Sequence, residues 1–183
     1  MIYVALLRGI NVGGKNKIEM NVLKQTFEKI SMKSVVTYLN TGNIIFIHDD
    51  TSIMEITHIL EKAIYKDFGL KIKIVVRTLD DFKIIMDSLP ELWKNDKHMK
   101  SDVLFLWDEI DNEVLLDELF IKSEIDTVKY VTGAILWSVD RENVTKSGMI
   151  TLLGTDLYKK MTIRNVNTTR KIYKHMEDAV LNY

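Results

Sequence analysis

Apolar positions along the chain follow two periods in turn, and the order of the switches repeats. Residues 2–7 form an unbroken apolar run that predicts a buried strand. Met20, Leu23, Phe27 and Ile30 recur at helical spacing. Residues 35–39 and 44–47 are strand-like and flank Asn40-Thr41-Gly42-Asn43, a strong turn signal. Ile53, Ile56, Leu60 and Ala63 mark a second helix, and residues 71–77 carry Ile72, Ile74, Val75 and Val76 into a fourth strand. The order is β-α-β-β-α-β, the split arrangement of ferredoxin-like domains.

A short helix over residues 79–89, stopped by Pro90, leads into a polar stretch at 91–100 that reads as a connection. The same order then returns. Residues 103–107 predict a strand and 114–120 a helix. Residues 128–131 and 134–139 flank Thr132-Gly133. A helix is predicted over 149–161 and an extended segment over 162–166. A last helix starts near Thr168, with Asn167 as its expected N-cap. The strings Thr41-Gly42-Asn43-Ile44-Ile45-Phe46 and Thr132-Gly133-Ala134-Ile135-Leu136-Trp137 hold the same place in each series. The expected fold is therefore α+β: two ferredoxin-like (βαββαβ, α-β plait) modules with antiparallel sheets. They span residues 1–90 and 91–183, the second with an extra C-terminal helix. Neither residues 2–7 nor 44–47 alternate to polar positions, so both faces of the sheet should be covered. The other half of the chain is the expected cover.

Composition narrows the chemistry. The chain has no cysteine, which excludes disulfides, iron–sulfur clusters and thiol catalysis. A net charge of −1 gives no global bias toward nucleic acid or membrane. Residues 108–126 hold eight acids and one base, and 159–174 hold six bases and no acid. Such runs read first as solvated helix faces. No apolar run reaches the length of a membrane span, and Met1 opens directly into a strand, so a cytoplasmic protein is expected.

Two strings carry candidate chemistry. Gly9-Ile10-Asn11-Val12-Gly13-Gly14-Lys15-Asn16 matches a phosphate loop as far as its lysine, but Asn16 stands where that loop needs Ser or Thr for magnesium. A glycine turn and an anion-binding loop both fit it. Arg164-Asn165-Val166-Asn167-Thr168-Thr169-Arg170 suits helix capping, and its arginines also suit an anion at a helix start. Phe105, Trp107, Ile135 and Trp137 share parity on two central strands, as in RNA-binding sheets. The basic-glycine-aromatic signature of those sheets is missing, which favours burial. The four histidines lack metal-ligand spacing, and no Gly-x-Ser-x-Gly elbow exists. Asp49-Asp50 and Asp80-Asp81 read as turn and helix-cap pairs.

The strings ALLRGINVGGKN, YLNTGN and MTIRNVNTTRK, in this order and spacing, resemble the bacterial family named domain of unknown function 1697 over nearly the whole chain. The resemblance implies two packed ferredoxin-like modules. It carries the family's characteristic positions onto Arg8, Gly9, Asn11, Gly13, Gly14, Lys15, Gly42, Asn43, Arg77, Arg164, Asn165, Asn167 and Thr168. Val166 departs from the tryptophan often found there. The resemblance supplies no substrate and no mechanism, and no cofactor or metal is expected.

The expected role is a binding module for a phosphate-bearing ligand, a nucleotide or nucleic acid. Arg8, Lys15 and Arg164 would be the anion contacts. Asn11, Asn43, Asn165 and Asn167, with Gly13 and Gly14, complete the candidate ligand-binding set. An enzyme acting on such a ligand and a purely structural or interaction protein remain open alternatives.

Overall fold

A computed structural model describes residues 1–49 and 51–181. Asp50, Asn182 and Tyr183 lie outside the described residues, and with Asp50 so does half of the expected Asp49-Asp50 turn. Two compact units divide the chain: Met1–Phe82 with Ile172–Tyr183, and Lys83–Lys171.

In the first unit the order is β1 (Ile2–Leu7), α1 (Met20–Lys29), β2 (Lys33–Tyr38), β3 (Asn43–Ile47), α2 (Ile53–Phe68) and β4 (Ile74–Thr78), followed by the start of α3 (Leu79–Ser88). The strands form an antiparallel sheet in the order β2-β3-β1-β4. One face, with Tyr3, Ala5, Leu7, Ile44, Phe46, Ile74 and Val76, packs on Leu23 and Phe27 of α1 and on Ile56, Leu60 and Ile64 of α2. Tyr3 stacks on Phe46 at 5.6 Å between ring centres, and Phe27 meets Phe46 edge-on at 5.7 Å. Such a buried aromatic contributes enough that truncation to alanine costs about 3–5 kcal/mol. Val4, Leu6, Ile45 and Val75 on the opposite face are buried as well, which is why these strands do not alternate. Local signals set the ends of α2. The Ser52 hydroxyl accepts a bond from the Glu55 amide, and Gly69 closes the helix in a left-handed conformation, φ 67°.

In the second unit β5 (Met99–Leu106) leads through a 3-10 turn (Asp108–Ile110) to α4 (Leu115–Glu118), β6 (Asp126–Val131) and β7 (Ala134–Asp140). A 3-10 segment (Arg141–Lys146), α5 (Met149–Leu152) and a 3-10 turn (Tyr158–Lys160) then lead to β8 (Met161–Asn165) and α6 (Val166–Leu181). The sheet order is β6-β7-β5-β8, again antiparallel. The chain is thus α+β with two four-stranded antiparallel sheets.

Matching hydrogen bonds recur in both units. The Leu7 amide donates to the Gly42 carbonyl, and the Leu106 amide to that of Gly133. The Arg8 amide donates to Lys73, and the Trp107 amide to Lys160. Arg77 and Arg164 each stand one residue before the end of the fourth strand of their sheet, and a helix follows directly.

Several boundaries differ from the periodicity. The helix expected over 149–161 lasts only to Leu152. Leu153 turns extended, and Gly154 takes φ 84°, which breaks the helix. The one expected over 114–120 is a single turn. β5 begins inside the stretch expected to be a connection. Register pairs Phe105 with Ala134 and Leu104 with Ile135, so Phe105 stands on the opposite face from Ile135 and Trp137. All of them are buried. Among the described residues no helix is long and apolar enough to cross a membrane.

Candidate functional site

The glycine loop of the first unit is a tight hairpin. Val12 and Lys15 form a β-bridge, with the Lys15 amide 3.1 Å from the Val12 carbonyl. Gly13 (φ 58°) and Gly14 (φ 76°) between them are both left-handed, as a type I′ turn requires. Asn11 clasps the loop: its Nδ2 donates to the carbonyls of Ile18 and Asn40, both at 2.9 Å, and its Oδ1 accepts from the Ile18 amide at 2.8 Å. Asn16 Nδ2 donates to the Gly9 carbonyl at 2.9 Å. The helix starts only at Met20, so the lysine does not lead into a helix N-terminus as in a phosphate loop. Lys15 is exposed and Arg8 half-buried. Asn43 is buried, with Nδ2 donating to the Tyr38 carbonyl at 2.7 Å and to Thr41 Oγ1 at 3.2 Å. Both Asn11 and Asn43 therefore spend their amide hydrogens on the turns that they stabilise.

In the second unit, Arg164 and Asn165 are neighbours on β8 and face opposite ways. Arg164 is 7% exposed. Its Nη1 donates to Thr162 Oγ1 at 3.0 Å and to the Ile163 carbonyl at 2.9 Å. Burial lowers its pKa to about 10, which still leaves it charged at neutral pH. Asn165, not Asn167, caps α6: its Oδ1 accepts from the Thr168 amide at 2.9 Å. The helix starts one residue after β8, so Asn167 already lies inside it. Asn167 instead exchanges bonds with the Asn95 backbone, donating from Nδ2 at 2.9 Å and accepting at Oδ1 at 3.3 Å. Arg170 donates to the carbonyls of Trp93 and Pro90 at 2.7 and 2.8 Å, which fixes the segment before β5.

The helix-side face of the second sheet holds a cleft of about 440 Å³. Met149 and Ile150 of the short α5, and Leu153 just after it, border this cleft. Trp137, Asp102 and Asn165 form one row across β7, β5 and β8, because Asp102 is the register partner of both others. Lys100 lies two residues along β5 on the same face, and its ammonium pairs with Asp102 Oδ2. Val139, Met149, Leu153 and Ile163 supply apolar wall. Arg141 stands at the rim, its Nε bonded to the Asp96 carbonyl and its Nη2 to Asn95 Oδ1, both at 2.8 Å. An apolar pocket with a few converging polar groups is the general form of a small-molecule site.

A buried carboxylate holds the wall in shape. Asp126 accepts bonds from Ser147 Oγ (2.5 Å), Trp137 Nε1 (3.1 Å) and the amides of Gly148 (2.9 Å) and Lys122 (3.0 Å). Burial alone would push its carboxyl pKa up, but the bonds from Ser147, Gly148, Lys122 and Trp137 outweigh it and hold it below the ordinary value. Among the described residues no group of three or more His, Asp or Glu could hold a metal ion.

Of the residues picked from the sequence, Asn165 lines this cleft. Lys100, Asp102 and Arg141 were missed. A signal for two of them exists: Lys100 and Asp102 share parity with Leu104 and Leu106, so two charges fall on the core-facing side of one strand. Taking 91–100 as a connection hid that pattern.

The family model described as Protein of unknown function (DUF1697) matches residues 1–137. No curated protein matches. Among solved structures, the conserved bacterial protein SP0830 from Streptococcus pneumoniae is similar, with a TM-score of 0.82 and 29% identity over 96% of this chain and 98% of that one.

Proposed function

The chain belongs to the family of proteins of unknown function DUF1697, and we propose that it is a binding module for a phosphate-bearing ligand held in the cleft of the second unit. The observation that carries this reading is the placing of the Arg141 guanidinium at the rim of an apolar-walled cleft, where the other cation, Lys100, is already paired with Asp102. The Arg141 guanidinium is held by two 2.8 Å bonds, so it loses little freedom when it meets an anion. A charge-assisted hydrogen bond to phosphate contributes about 1.5–3 kcal/mol.

We also read each sheet with its connections as a ferredoxin-like module. The orders β4-β1-β3-β2 and β8-β5-β7-β6, with helical crossings after the first and third strands of each, support that reading.

Calorimetric titration of the full chain with ribose 5-phosphate and with nucleoside monophosphates tests the function. Binding that weakens about tenfold or more in Arg141→Ala is the expected result, with a fold that is retained but melts somewhat lower, because the bonds to the Asp96 carbonyl and Asn95 Oδ1 are lost. Absence of binding at millimolar ligand would reject the reading.

A second reading follows from Asp102. A carboxylate facing the same cleft can accept a proton from a bound ligand, so an enzyme on this ligand class is the alternative. Turnover of a bound phosphate compound, lost in Asp102→Asn, would favour it.

A further inference from the structure

Two hydrogen-bonding atoms at the cleft have no partner among the described residues. The Asp102 side chain is 9% exposed, and its Oδ2 takes Lys100. Every fully buried side-chain polar atom among the described residues is hydrogen-bonded. Asp102 Oδ1, which none of those residues bonds, is therefore open, and Asp102 lines the cleft. Asn165 is oriented by its role as a cap. Its Oδ1 accepts from the Thr168 amide at 2.9 Å, which assigns the amide and turns Nδ2 away from the helix start. No described residue accepts from that Nδ2, and Asn165 also lines the cleft.

Asp102 and Asn165 are register partners in the β5–β8 ladder and share a face. Such partners have Cβ atoms about 4.5–5.5 Å apart. The cleft thus presents one acceptor and one donor side by side. A phosphate group is served by donors alone and is repelled by a carboxylate, so this pair addresses another part of the ligand. Its complement is an edge with an N–H beside a carbonyl oxygen or ring nitrogen, as on a nucleobase. The third member of the row is Trp137, and Met149, Leu153 and Ile163 provide apolar walls for a flat ring.

Resting on the reading of this cleft as the ligand site, we infer that it binds a nucleobase, with Asp102 Oδ1 accepting from a base N–H and Asn165 Nδ2 donating to the neighbouring base acceptor. The ligand class is then a nucleoside or nucleotide.

The test is calorimetry on the full chain with AMP, GMP, CMP and UMP, the four matching nucleosides, and ribose 5-phosphate. At least one nucleotide should bind tenfold or more tighter than ribose 5-phosphate. Asn165→Asp removes the donor and keeps the cap, since Asp and Asn cap equally well. That variant also sets a second carboxylate opposite Asp102, so it should melt somewhat lower than the parent; the folded protein should bind the preferred nucleotide at least tenfold more weakly, with ribose 5-phosphate affected much less. Asp102→Asn, close to isosteric, should also weaken the nucleotide.

Equal binding of ribose 5-phosphate and all nucleotides would overturn the inference and leave the phosphate reading standing. Equal weakening of ribose 5-phosphate and nucleotide by Asn165→Asp would overturn it too, because added charge alone would explain the loss. Nucleosides binding as tightly as nucleotides, with the same loss in Asn165→Asp, would uphold the base site and reject the phosphate. Binding of none of these probes would reject both.

Discussion

A Cβ placed on Gly42 would lie 2.7 Å from the Cβ of Leu7 and 2.8 Å from Cδ1 of Ile10. Gly42 also holds φ 81°, and its carbonyl accepts the Leu7 amide at 2.8 Å. The turn before β3 and the end of β1 are therefore locked together at a point with no room for a side chain. Gly42→Ala should destabilise the fold by about 3 kcal/mol or more, from overpacking and left-handed strain together. Gly13→Ala meets open space and should cost only about 1 kcal/mol, the strain term alone. Denaturant melts of the two variants check the ranking. Equal losses would show that the close approach is not what fixes Gly42.

Asp126 makes the second unit sensitive to acid. Folding lowers the pKa of its carboxyl below the ordinary value of 3.8, so the unfolded chain binds this proton more readily. The stabilisation is present in full above about pH 5 and is lost as the pH falls through the folded-state value. Asp126→Asn should cost about 2–4 kcal/mol at pH 7, because its amide cannot accept all four bonds. The gap between parent and variant should shrink toward pH 3, as followed by melting curves. A constant gap across that range would assign the effect to shape and not to charge.

Arg164 should behave as a fold residue. Arg164→Ala removes a buried guanidinium bonded to Thr162 Oγ1 and the Ile163 carbonyl, and should lower stability by about 3 kcal/mol or more. Lys15→Ala changes an exposed side chain and should stay within about 0.5 kcal/mol of the parent. Chemical denaturation of both variants decides this. A stable Arg164→Ala protein would show that the arginine is not needed for folding.

ATP and GTP should not be hydrolysed with magnesium. Asn16 replaces the hydroxyl ligand of the metal, and the glycine loop closes as a hairpin ahead of the helix. Multiple turnover by purified protein, abolished in Lys15→Ala, would contradict this expectation.

The order of strands and helices was legible in the sequence because it depends on local periodicity. Residues 2–7 read as a strand without alternation, and β1 has those bounds with both faces buried. Thr41-Gly42 and Thr132-Gly133 marked both hairpins, since only glycine takes their left-handed φ without strain. The family was legible too, in the glycine loop and the Thr41-Gly42-Asn43 turn, which lie within the matched residues 1–137; the Arg164-Asn165 string lies beyond them.

Other features needed the tertiary structure, because they depend on partners far away in the chain. An amide side chain in the sequence says nothing about where its hydrogens go. Asn11 and Asn43 close turns, Asn165 caps α6 and Asn167 clasps Asn95. Arginine in a polar string reads as exposed, yet Arg164 follows the parity of β8 into a buried face. The cleft is lined by residues at and just after the one-turn α5, and the β5 register sets Asp102 between Trp137 and Asn165. Periodicity assigns a residue to one side of its strand, but cross-strand pairing alone decides which side chains share a site.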